Sequence, residues 1–144
     1  MLVTGGNRGI GLGVAECCLI NGAAKVYSID LAEPGDEFAA ILKRFPGKIA
    51  AIQANVTNEE SITTAVDKIV AESGAIHGVV VNAGRTNHKA ALDFTKEDVE
   101  ALFAVNVSRN DLVVFCYITG LQADDRSFSG PSIQREQPLE RLSS

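Results

Sequence analysis

Short apolar runs alternate with longer amphipathic ones from residue 2 to about residue 103, and this alternation leaves few folds open. Leu2-Val3-Thr4 reads as a short strand, and Gly9 to Ile20 as a helix stopped by Asn21-Gly22. Val26 to Ile29 is strand-like and ends at Asp30. Glu33-Pro34-Gly35 is a turn, followed by a helix from Asp36 to about Phe45 that Pro46-Gly47 ends. Ile49 to Ile52 is a third strand. Thr57 and Glu60 have capping-box spacing ahead of a helix whose Ile62, Ala65, Val66, Ile69 and Val70 share one face. Gly78 to Val81 is a continuous apolar run, the pattern of a strand covered on both faces. A further helix starts near Thr95 and groups Val99, Leu102 and Phe103. The order β-α-β-α-β-α-β-α predicts an α/β fold. Its doubly wound parallel sheet should have strand order 3-2-1-4, because β-α-β crossovers are right-handed.

Residues 1–108 carry this pattern. Residues 109–121 are an apolar segment of uncertain role, and residues 122–144 read as a polar, disordered tail interrupted by Pro131 and Pro138. With 144 residues, 46% of them apolar, the chain suffices for one core. A net charge of −5 argues against nucleic acid or an anionic membrane as partner, because neutralising phosphates needs a basic face. No apolar run reaches the ~18–20 residues that span a bilayer. The start of the chain shows no secretory signal. Three cysteines, two of them adjacent (Cys17 and Cys18), suit reduced thiols in the cytoplasm better than a disulfide framework. His77 and His88 lie far from the cysteines in sequence, which gives a zinc site little support.

The turn Thr4-Gly5-Gly6-Asn7-Arg8-Gly9-Ile10-Gly11 joins the first strand to the first helix. Glycines there let backbone approach a ligand, and the helix N-terminus offers unpaired N–H groups to a pyrophosphate. A tight strand-to-helix turn would use the same glycines. Asp30, nineteen residues past Gly11, stands where an acid can take ribose hydroxyls.

The spacing T-G-x-x-x-G-I-G, followed by Asn55-Val56, Asn82-Ala83-Gly84 and Asn106-Val107, resembles the short-chain dehydrogenase/reductase family over residues 1–108. Lys25 to Glu37 is most similar to fungal polyol and ketose reductases of that family. The resemblance implies a Rossmann-like fold and an NAD(P) cofactor. Gly5, Asn7, Arg8, Gly9, Ile10 and Gly11 would line its pyrophosphate and adenosine side. Asp30 would hold the adenosine ribose, and Asn55 and Val56 would contact adenine. Asn82, Ala83 and Gly84 would back the nicotinamide end. Asp30 repels a 2′-phosphate and Arg8 attracts one, and the balance leans to NAD(H).

Asn106 falls on the stripe of Leu102 and Phe103 and is expected to be a buried amide in need of partners. It either satisfies local backbone at a helix end or, as the resemblance implies, marks a helix distortion serving a catalytic lysine. That lysine, its tyrosine and its serine have no match. Tyr27 is followed at the family spacing by Leu31, Tyr117 by Leu121, and no lysine lies beyond residue 108. Ser127, Ser129 and Ser132 lie in the polar stretch. The abrupt loss of resemblance after Ser108, with the short lead before Leu2, suggests a truncated product. Three functions stay open. One is a nucleotide-binding half without turnover of its own. Another is a reductase completed by a longer chain or a partner. The third is a vestigial or interaction protein, self-associating through an exposed sheet edge.

Overall fold

The computed structural model describes residues 1–108. They form one parallel sheet of four strands, β1 (Leu2–Thr4), β2 (Val26–Asp30), β3 (Ile49–Gln53) and β4 (Val79–Val80), in the order β3-β2-β1-β4. Leu2 stands beside both Tyr27 and Val79, and Val26 beside Ile49. Helices α1 (Gly9–Ile20), α2 (Asp36–Arg44) and α3 (Glu59–Ser73) make the crossovers, and α4 (Lys96–Phe103) follows β4. This is the Rossmann-like, doubly wound arrangement that the alternation predicts.

Strand pleating divides the core in two. Val3, Val26 and Ile49 point to the face covered by Leu12, Ala15 and Leu19 of α1 and by Phe38 and Ile41 of α2. Leu2, Tyr27 and Ile29 point to the other face, where α3 lays down Ile62, Ala65, Val66 and Ile69. Each large side chain buried there contributes about 1.5–3 kcal/mol. The i, i+3, i+4, i+7 spacing of α3 is therefore what fixes it to the sheet.

Three local expectations are corrected. The cap of α3 is Asn58, whose side chain accepts from Ser61 N at 2.8 Å, and not Thr57. Thr57 is drawn away because its N–H and its hydroxyl both donate to Asn55 Oδ1, at 2.9 and 2.8 Å. The fourth strand shrinks to Val79–Val80 and is half-buried. Among the described residues it pairs with β1 alone, as the order 3-2-1-4 predicts, so what changes is its length and its cover: neither residue is fully buried. Asn106 is exposed among the described residues and sits in a π-helical turn, Ala104–Ser108, that continues α4. No described helix is long and apolar enough to cross a membrane. The expectations for residues 109–121 and 122–144, Tyr117 included, lie outside the described residues.

The capping box the sequence promised at Thr57 is found instead on α4. Thr95 Oγ1 accepts from Asp98 N at 3.2 Å, and Thr95 N donates to Asp98 Oδ2 at 3.1 Å. Asp98 also receives Lys89 Nζ at 2.6 Å and Asn87 Nδ2 at 3.1 Å, which ties the segment after β4 to the start of α4. The Lys89 ammonium, and after it the Thr95 N–H, hold the Asp98 carboxyl down at about 2, against an ordinary value of 3.8. A lowered folded-state value stabilises the charged form. This tether should therefore be complete above about pH 4 and be lost as pH falls through 2. Amide chemical shifts of Asn87, Lys89 and Thr95 followed from pH 6 to pH 2 should titrate with Asp98. Asp98→Asn should release the segment at neutral pH.

Candidate dinucleotide site

The carboxyl ends of the strands open onto one cleft of about 860 Å³, the position where open parallel sheets bind ligands. The β1–α1 turn builds one wall. Gly5 has φ +64°, in the left-handed region glycine tolerates, and a Cβ there would stand 2.9 Å from Ala83 Cα. A Cβ on Gly11 would stand 2.2 Å from Gly5 O and 2.5 Å from Asn82 Nδ2. Only glycine at both positions lets α1 begin this close to the loop after β4. Arg8, the cap residue of α1, gives no side-chain cap, and the first turn of α1 has no acidic residue. The partial positive charge of this helix end therefore meets no compensating carboxylate on its own helix.

Asp30 closes β2 on the same wall. Its Oδ2 accepts from Asn7 N and its Oδ1 from Ala32 N, each at 3.1 Å. Two backbone donors fix the carboxylate, and each oxygen keeps a lone pair for a ligand. Asn55 follows β3, its own N–H bound to Ser61 Oγ at 3.0 Å, and Asn55 and Val56 line the cleft beyond Asp30.

The opposite wall is the loop after β4. Thr4 Oγ1 accepts from Asn82 N and from Ala83 N, both at 3.0 Å. Asn82 Nδ2 returns to Thr4 O at 3.1 Å and to Gly5 O at 3.2 Å. The Asn106 amide brackets the next peptide unit: Oδ1 accepts from Arg85 N at 2.9 Å, and Nδ2 donates to Arg85 O at 3.0 Å. These bonds of the amide reach a residue 21 positions back in the chain, and the Asn106 side chain is exposed rather than part of a buried stripe. Ala101, Ala104 and Val105 add a small apolar surface beside it.

The cleft gathers Gly5, Arg8, Gly9, Ile10, Gly11, Asp30, Asn55, Val56, Asn82, Ala83 and Gly84. Asn7 is the exception. It is 3% exposed, with Nδ2 donating to Ala32 O at 2.7 Å and Oδ1 accepting from Ser28 Oγ at 2.7 Å. A buried amide so fully paired shapes the turn from beneath and is not on the wall. Sequence reasoning missed Thr4 and Arg85, because neither the cross-strand hydroxyl bonds nor the Asn106 clamp has a spacing signature. The small residues Ala101, Ala104 and Val105, at i, i+3 and i+4, could have announced a helix face meant for close approach.

A short-chain dehydrogenase family model matches residues 1–113, five residues past the last landmark stretch. A cyclopentanol dehydrogenase of Comamonas sp. is 38% identical over 109 residues, covering 74% of this chain and 43% of the relative. An acetoacetyl-CoA reductase of Synechocystis is 35% identical over 121 residues, covering 84% of this chain and 46% of the relative. A Serratia marcescens short-chain dehydrogenase/reductase structure superposes with TM-score 0.71 at 26% identity, covering 82% of this chain and 49% of that one. The chain thus spans less than half the length of these relatives. They are bacterial enzymes, and they give no support to a particular likeness to fungal polyol and ketose reductases. The glycine turn, the strand order and the family match agree: this chain belongs to the short-chain dehydrogenases.

Proposed function

We propose that residues 1–108 are the dinucleotide-binding half of an NAD(P)-dependent oxidoreductase acting on a secondary alcohol or its ketone. The observation that carries this reading is the single cleft lined by the glycine turn, Asp30 and the Asn82–Gly84 loop. The residues fit the cofactor. Gly5 and Gly11 clear space that a Cβ would close, and the uncapped start of α1 suits a pyrophosphate. Asp30 offers oxygen acceptors to ribose hydroxyls, and Asn55 and Val56 flank the place for adenine. When bound, the nicotinamide supplies or takes up the hydride. The chain's own residues bind and orient. The Thr4–Asn82 bonds tie the two walls together, and Asn106 fixes the loop beside the nicotinamide end. The substrate class rests on the cyclopentanol dehydrogenase and the acetoacetyl-CoA reductase among the relatives. The free Cys17 and Cys18 fit a reducing, cytoplasmic setting.

We assign NAD(H) over NADP(H) because the Asp30 carboxylate, pinned by two backbone N–H groups, cannot turn away from a 2′-phosphate. Fluorescence titration of the chain should show NADH binding at least as tightly as NADPH. Asp30→Ala and Asp30→Asn should weaken that preference by about tenfold, or 1.4 kcal/mol. Clearly tighter NADPH binding by the unmutated chain would mean that Arg8 dominates.

A further inference from the structure

Three charged side chains line the cleft, and two of them are arginines, in a chain whose net charge is −5. Arg8 and Asp30 belong to the dinucleotide wall. Arg85 does not. It follows the Asn82–Gly84 loop, on the side where Ala101, Ala104 and Val105 of α4 and its π-turn supply an apolar surface. Its backbone is fixed at both N and O by the Asn106 amide, so the side chain springs from a rigid root. The other polar groups nearby are occupied. Lys89 is held by Asp98, and Asn87 bonds the same carboxylate. His88 pairs with Thr86. The Arg85 guanidinium is exposed, with no hydrogen-bond or ion-pair partner among the described residues.

We propose that Arg85 is a specificity-determining residue that directs the α4 side of the cleft to substrates carrying a carboxylate. The apolar body would lie on Ala101, Ala104 and Val105 while the guanidinium takes the anionic end. A guanidinium presents two parallel N–H donors that match the two oxygens of a carboxylate, and such charge-assisted pairs are stronger than neutral ones. This inference rests on the dinucleotide reading of the cleft, and its experiment keeps the two apart.

Saturation-transfer NMR on the 144-residue chain, with and without NADH, compares 4-oxopentanoate with 2-pentanone. The two share a methyl ketone and a chain length, and differ in the carboxylate. The anion should bind about tenfold more tightly, the scale of a charge-assisted hydrogen bond. That difference should vanish in Arg85→Gln and return in part in Arg85→Lys, which keeps the charge without the fork. It should persist in Lys96→Gln, which removes an exposed cation from the outside of α4. Equal binding of the two ketones, or a preference that survives Arg85→Gln, overturns the proposal. NADH fluorescence in the same samples reads the other reading. If NADH fails to bind while the Arg85-dependent preference stands, the dinucleotide assignment falls and this one holds. If Arg85→Gln weakens NADH and no ketone preference exists, the guanidinium serves the dinucleotide and the proposal is wrong.

Discussion

Gly11→Ala should abolish dinucleotide binding and cost the chain about 3 kcal/mol or more, the upper range for forcing a methyl group into a packed site. The added Cβ would stand 2.2 Å from a backbone oxygen, Gly5 O, which cannot rotate away as a side chain could. Relief requires α1 to move off the turn, and that opens the wall facing Asn82. Gly13→Ala is the matched control, two residues on in the same helix, where a Cβ meets nothing within 4 Å. There the substitution should stabilise by about 0.5–1 kcal/mol, because alanine loses less backbone entropy in a helix. Urea denaturation of both variants with NADH titration decides the matter. Equal stability of the two would show that the helix does not approach the turn as described.

The second expectation is that the 144-residue chain oxidises no NADH or NADPH against ketoses, quinones or simple ketones. Reducing a carbonyl leaves an oxygen that needs a proton in or near the transition state. Without a positioned acid the step loses on the order of 10²–10⁴-fold. The family's tyrosine and lysine, four residues apart, have no match among these 144 residues. Were the serine that orients the carbonyl in the family missing as well, a further electrostatic contribution of about 3 kcal/mol would go with it. Tyr117, which lies outside the described residues, is the one candidate phenol besides the buried Tyr27. Substrate-dependent cofactor oxidation by purified chain that disappears in Tyr117→Phe would restore turnover to this chain.

The strand order and the helix faces were legible because both follow from periodicity, and periodicity is local. Ile62, Ala65, Val66 and Ile69 announce the buried face of α3 without knowledge of the sheet. Caps were less legible, because adjacent polar residues compete. Thr57 and Asn58 both offer oxygen acceptors, and the contest was decided by Asn55, whose side chain claims the Thr57 hydroxyl. The cover over Val79–Val80 was not legible, since an apolar run reads the same whether its faces are fully or only partly buried. Most of the cleft wall could be foreseen because it is made of loops immediately after strands. Asn7 could not be distinguished from its neighbours, because whether an asparagine points to ligand or to Ser28 is settled by contacts 21 residues away.

The Thr4 hydroxyl has a consequence for the order in which this protein can acquire its site. It joins residues 78 and 79 positions apart, so the two walls of the cleft are brought together by one of the longest closures in the described chain. Such closures come at an entropic cost that must be met before any contact rewards them, and topologies that rely on them fold slowly. A nascent chain that has emerged only as far as α3 holds the glycine turn, Asp30 and Asn55, but has no second wall to face them. Binding competence would arrive in a single late step, when β4 docks against β1. Dinucleotide affinity would then report on the completion of folding. On the ribosome, it would distinguish chains stalled before residue 83 from those released past it.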